Sequence, residues 1–233
     1  MKLILVLTAA FIFMFQSTAA AEERISTISV SGEGVIEVAP DRATISIGVV
    51  TRDKNAAKVQ GDNARIASEI IKSVAALGID KKNIRTGNYS FHQYYRQENN
   101  RRVADGYEAN NTVTIIVDDL NLVGKVIDTS LGHGANNIDA LEFGIKNKGN
   151  LQNEAIRLAV RDARAKAEVV AAEFGKNIIG VKNVSVNYGS ISAPRANKFA
   201  MAEMSMDMAA ATPIESGTLS CSASVNVEFE MSR

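Results

Sequence analysis

The chain has 233 residues, 46% of them hydrophobic and 22% charged, with 26 Lys and Arg against 26 Asp and Glu. This balance excludes a disordered chain and offers no basic stripe for nucleic acid. Trp is absent and only 6% of residues are aromatic, which leaves little material for stacking bases or sugars.

The first segment, MKLILVLTAAFIFMFQSTAAAEERI, places Lys2 before an apolar run from Leu3 to Phe15, then small residues through Ala19-Ala20-Ala21. That is the pattern of a secretory signal peptide. Residues 1–21 are therefore expected to be removed, leaving 22–233 as the folded domain. The run is shorter than the about 20 apolar residues of a membrane-spanning helix, and no later segment is long and apolar enough to span. A single cysteine, Cys221, rules out an internal disulfide, so the core must hold the exported domain together unaided.

In ISVSGEGVIEVAPDRATISIGVV, Ile28, Val30, Gly32, Gly34, Ile36 and Val38 share one face. Beyond Pro40-Asp41, Ala43, Ile45, Ile47 and Val49 share one face again. Two period-2 runs read as paired strands. Gly32-Glu33-Gly34 could open a phosphate-cradling loop, but such a loop needs a third glycine and a following helix. Here Glu37 and an extended Val-Ile-Glu-Val follow, so the glycines mark a bulge or a close backbone approach.

The period changes over 53–77, where Ala56, Val59, Asn63, Ile66, Ala67, Ile70, Val74 and Leu77 form a helical stripe stopped by Gly78. Two strands follow, the second alternating from Tyr107 to Val117. Between them lies RQENNRRVADG, 96–106, expected as a polar, exposed hairpin tip. Asp118 or Asp119 caps a short helix over 120–131, and IDALEFGIKNK is a strand. Asn150 is expected to cap a long helix, about 151–174, ended by Gly175. A strand spans about 178–189, and residues 191–214 read as a Met-rich mobile loop. The last strand, 217–231, puts Cys221 on its apolar face among Leu219, Ala223, Val225, Val227, Phe229 and Met231, which predicts a buried, unreactive thiol. VAALGIDKKNIRTGNYSF and VAAEFGKNIIGVKNVSVNY both run from a helix end through glycine into a strand. The order of elements gives an α+β fold with antiparallel or mixed sheets and packed helices; the echo leaves open two similar sheet-and-helix halves and is too weak to establish a duplication.

Chemistry-bearing residues are few. His92 sits among strand aromatics and His133 in a turn. Two histidines and one buried cysteine do not make a usual zinc site, and no G-x-S-x-G elbow supports a hydrolase. Asp118-Asp119 suits capping, and Glu22-Glu23 trails the cleavage site. Met201, Met204, Met206 and Met208 are soft ligands suited to Cu(I), and they are equally adaptable packing residues. No catalytic, cofactor-binding or metal-ligating residue is assigned, and no cofactor is expected.

Taken in order, ISVSGEGVIEVAPDRATISIGV, LGIDKKNIRTGNYSFHQYY, GYEANNTVTIIVDDL, NNIDALEFGIKN, the helix NEAIRLAVRDARAKAEVVAAEFGK and TPIESGTLSCSASVNVEF resemble the SIMPL-domain proteins of the bacterial exported type, across essentially all of 22–233. The resemblance implies an α+β fold, residence in the periplasm or outer envelope, and ring-like or channel-like homo-oligomers. It implies no catalytic residues. The expectation is a non-enzymatic envelope protein that self-assembles and supports stress defence, including oxidative stress, or envelope integrity. The alternative is a copper-binding or redox-protective module using the Met-rich loop. Long strands such as 107–117 and 217–231 in an open sheet would supply edges for assembly. The 96–106 tip and the Met-rich loop are extensions able to reach a neighbour.

Overall fold

The computed structural model describes residues 26–192 and 212–233. The expected signal peptide, 1–21, and residues 193–211 of the expected Met-rich loop lie outside them. In chain order the elements are β1 (Thr27–Val38), β2 (Arg42–Asp53), α1 (Ala56–Ala76), β3 (Ile84–Glu98), β4 (Arg101–Val117), α2 (Val123–Gly132), β5 (Asn137–Gly144), α3 (Lys148–Glu173), β6 (Ile178–Ser192) and β7 (Leu219–Met231).

The strands form two antiparallel sheets, β3-β4-β2-β5 and β1-β7-β6. β1 and β2 are therefore not a hairpin. Asp41 explains why: its N–H donates to the Gly144 carbonyl at 3.1 Å and its Oδ1 accepts from Lys146 N–H at 2.7 Å. These bonds fix the turn to the end of β5 and send β2 into the other sheet.

The segment β2-α1-β3-β4-α2-β5 is the split βαβ arrangement of ferredoxin-like folds. β2 and β3 both run antiparallel to β4, so they are parallel to each other and joined through α1. β4 and β5 are related in the same way through α2. β1, α3, β6 and β7 repeat the first four of these elements, with β7 again between the other two strands. The echo between the two sequence stretches thus falls at equivalent places. α1 is followed by Gly78 at φ +92° and α3 by Gly175 at φ +66°, left-handed conformations that favour glycine and end both helices.

Helix boundaries follow their caps. Asn55 Oδ1 accepts from the N–H groups of Ala57 and Lys58 and starts α1. α3 is capped by Asn147, not Asn150, whose own N–H donates to the Asn147 side chain at 3.4 Å. Asp119 caps a short 3-10 turn, Leu120–Leu122, that leads into α2.

The larger core lies between the four-stranded sheet and α1 and α2. Ile45, Ile47 and Val49 meet Ile70, Val74, Val113, Ile115, Val123 and Val126, all fully buried. Each such side chain contributes about 1.5–3 kcal/mol of transfer free energy. Asn63 is buried there too, and its Nδ2 donates to the carbonyls of Val49 at 2.8 Å and Ala109 at 3.3 Å. The smaller core is built differently. α3 buries a row of alanines, Ala155, Ala159, Ala163, Ala167 and Ala171, against β1 and β7. Gly32 and Gly34 lie directly beneath it. A β-carbon on Gly32 would stand 2.1 Å from the Ala159 carbonyl oxygen, and one on Gly34 would stand 2.0 Å from that of Ala155. The Gly-Glu-Gly motif is a seat for a helix.

Candidate functional surface

Among the described residues, the histidines, the cysteine and the paired aspartates lie apart from one another. His92 Nε2 lies 3.6 Å from Glu108 on the open face of the four-stranded sheet, and Glu108 is also held by Arg52. The Arg52 guanidinium in turn sits 4.4 Å above the Tyr94 ring. Glu108 thus already has a cationic partner in Arg52. His133 follows α2, and its Nδ1 is 2.7 Å from the Thr129 carbonyl. Cys221 is fully buried beside Ala155 and Ala223, and burial pushes its thiol pKa up. Asp118 pairs with Arg42 at 2.8 Å, which holds its carboxyl below the ordinary range, with Lys146 nearby. Asp119 is a cap. Among the described residues, no three His, Cys, Asp or Glu side chains come together to hold a metal ion. Glu22, Glu23 and the Met201–Met208 cluster lie outside the described residues.

What the fold does present is sheet edge. β4 and β7, the strands expected from sequence to be available for assembly, are interior strands paired on both sides. The edges are β1, β3, β5 and β6. The β1 edge is closed by α3: the Glu33 N–H donates to Asp162 Oδ2 at 2.8 Å, and Lys166 Nζ donates to the Ser31 carbonyl at 3.2 Å. Asp162 and Lys166 are themselves paired at 2.7 Å. Lys166, then the Glu33 N–H, lowers the pKa of Asp162. β5 has only eight residues, and the Asn136 side chain continues it by bonding both N–H and C=O of Val50.

β3 and β6 remain, each fifteen residues long. Cross-strand register sets Val181, Val184, Val186 and Tyr188 opposite Phe229, Val227, Val225 and Ala223. Opposed residues share a face, so these β6 side chains belong to the face covered by α3. Yet Val181 is 55% exposed and Tyr188 68%. The reason is geometric. A helix about 10 Å across spans two strands spaced about 4.8 Å apart, and α3 lies over β1 and β7. β3 repeats the situation, because α1 packs across β2 and β4. Phe91, opposite Ala109, and Tyr89, opposite Asn111, stay more than two-fifths exposed, although Phe91 stacks on Tyr107 at 5.8 Å.

The expected 96–106 tip is a continuation of this ribbon. β3 and β4 pair as far as Glu98 with Arg101, and Asn99 and Asn100, at φ 46° and 65°, make a two-residue turn. At the other loop, Ile191 and Ser192 belong to β6. Thr212 bonds to Asp128 on α2 through its N–H and hydroxyl.

No described helix is long and apolar enough to cross a membrane. The chain is 29% identical over 214 residues to the 26 kDa periplasmic immunogenic protein of Brucella melitensis, covering 88% of this chain and 84% of the relative. It is 26% identical over 205 residues to the uncharacterized protein YggE of Edwardsiella ictaluri, covering 87% and 86%. The Escherichia coli K12 protein of the same name is 27% identical over 159 residues, covering 67% and 64%. The model of the SIMPL family, proteins of unknown function also designated DUF541, matches residues 28–229. That span runs from β1 into β7 and touches every strand and helix, and the chain belongs to the SIMPL family.

Proposed function

We propose that this protein is exported to the periplasm, acts without catalysis, and works as a closed ring-like or channel-like homo-oligomer that supports stress defence or envelope integrity. The observation that carries the reading is the uncovered apolar strip of β6, Val181 to Tyr188, on a sheet edge with no partner strand among the described residues. Exposed apolar edges are aggregation hazards in a monomer and become an asset in an assembly. The name of the Brucella relative supports the location, and neither that name nor YggE assigns a reaction. The apolar run from Leu3 to Phe15 supports export.

Light scattering on residues 22–233 over a concentration series tests the assembly. The expected mass is a fixed multiple of one chain. A single-chain mass at every concentration overturns the reading. Survival of a strain lacking the protein, under peroxide and under envelope-damaging detergent, tests the physiological part. Survival equal to that of the parent strain under both overturns it.

A further inference from the structure

The ring reading leaves open which surfaces meet, and the edges decide this by elimination. β1 is bonded along its edge by Asp162 and Lys166, and β5 is broken by a bulge opposite Ser46/Ile47 and carries the edge charges Asp139 and Glu142. Among the described residues, only β3 and β6 are left as long edges with no bonded neighbour. We infer that β3 of one copy adds alongside β6 of the next, so that each chain donates one edge and receives on the other.

This inference rests on the proposed self-assembly and gives it a geometry. Both strands have an uninterrupted stretch of regular ladder between bulges. In β6 the register shifts at 178/180, 181/183 and 188/191, which leaves Asn183–Tyr188 regular. In β3 it shifts at 86/88 and 94/95, which leaves Asn88–Tyr94 regular. Bulges end pairing, so the docking stretches are about six and seven residues, enough for strand addition. Neither stretch carries the Lys or Glu that usually guards an edge. Lys182 lies just outside, and its ammonium is drawn across to Glu228 at 2.9 Å.

The side chains also match. On the helix-bearing faces β3 offers Tyr89 and Phe91, and β6 offers Val184, Val186 and Tyr188, all exposed. Aromatic against β-branched is among the favourable cross-strand pairings. Pairing β6 with β6 about a two-fold axis would stop at two chains and leave β3 open in both. Pairing β3 with β6 covers both edges of every copy by one kind of contact, and head-to-tail contacts of this kind form a ring when the rotation from copy to copy closes, and a filament when it does not.

The test uses two variants of residues 22–233, Val184→Lys with Val186→Lys, and Tyr89→Lys with Phe91→Lys. All four sites are exposed, so native circular dichroism is expected. Where it is lost, serine at the same positions replaces lysine. With a multimeric parent, each variant alone should fall to the mass of one chain. A 1:1 mixture should double that mass, because one intact β3 and one intact β6 remain to form a single joint. A β3 variant that still dimerises alone points to β6–β6 pairing and overturns the inference. So does a mixture that stays at the single-chain mass, or variants that assemble like the parent; in each case the self-assembly reading survives. A parent that is itself a single chain overturns that reading instead.

Discussion

The carbonyl oxygen of Ala159 occupies the place where Gly32 would carry a side chain, 2.1 Å from an ideal β-carbon. The obstacle is helix backbone, which cannot swing aside, so Gly32→Ala must lift α3 off β1. The expected loss is about 2 kcal/mol or more, as for an overpacked core. Gly34→Ala should behave alike, since Ala155 blocks it at 2.0 Å. Gly61, exposed on α1 with open space around it, is the control. Gly61→Ala should gain about 0.5–1 kcal/mol from helix propensity. Urea midpoints decide; a harmless Gly32→Ala would refute the seat.

Asp162 ties the helix to the strand edge, and its pKa is lowered by Lys166 and by the Glu33 N–H. A lowered carboxyl contributes stability that is present above its unfolded pKa, about 3.9, and is lost as pH falls through the folded value. Asp162→Asn should therefore be less stable than the parent at pH 6, and the gap should close as the pH drops below 4. Chemical denaturation at pH 6, 4 and 3 measures it. A gap that widens on acidification is the contrary result.

The strands were legible because alternation is a local property. Pairing is not. Ile28 to Val38 announces one apolar face without saying which strand lies beside it. Pro40-Asp41 resembles a hairpin turn until Lys146, 105 residues away, is seen to bind it. The segment around Asn99 is the exposed polar hairpin tip that its composition indicates, but both of its faces are wet, so no alternation marked how far the strands run into it. The β6 surface was hidden for the opposite reason. Val184, Val186 and Tyr188 alternate like a core face, and only the width of α3 shows that they are left outside.

Asn63 turns its amide nitrogen toward two carbonyls in the larger core. Asn63→Asp would replace that donor with an acceptor and bury a charge. The expected loss is about 3 kcal/mol at neutral pH. Part of it should return in mild acid, where the carboxyl protonates and can donate. Thermal melts at pH 7 and pH 5 check both parts; an equal loss at the two pH values would count against the account.

Cys221 should be invisible to thiol reagents in the native protein. It is fully buried, and its thiol pKa is raised by burial. Labelling with a chromogenic disulfide should be at least about a hundredfold slower before denaturation than after, given how little thiolate is exposed. Rapid labelling of the native protein would show that the α3 layer opens easily.

β1 waits longer for its partner than any other strand. Ser31 bonds Asn226 across 195 residues of chain, and the ferredoxin-like unit from β2 to β5 lies wholly between them. A polypeptide that emerges N-terminus first can complete that unit while β7 is still missing. The three-stranded sheet can close only after nearly everything else has arrived, and the loop-closure cost of its contacts favours its forming last. Until then β1 leads the chain as a strand with no partner strand and one apolar face, a segment that a holding chaperone could grip.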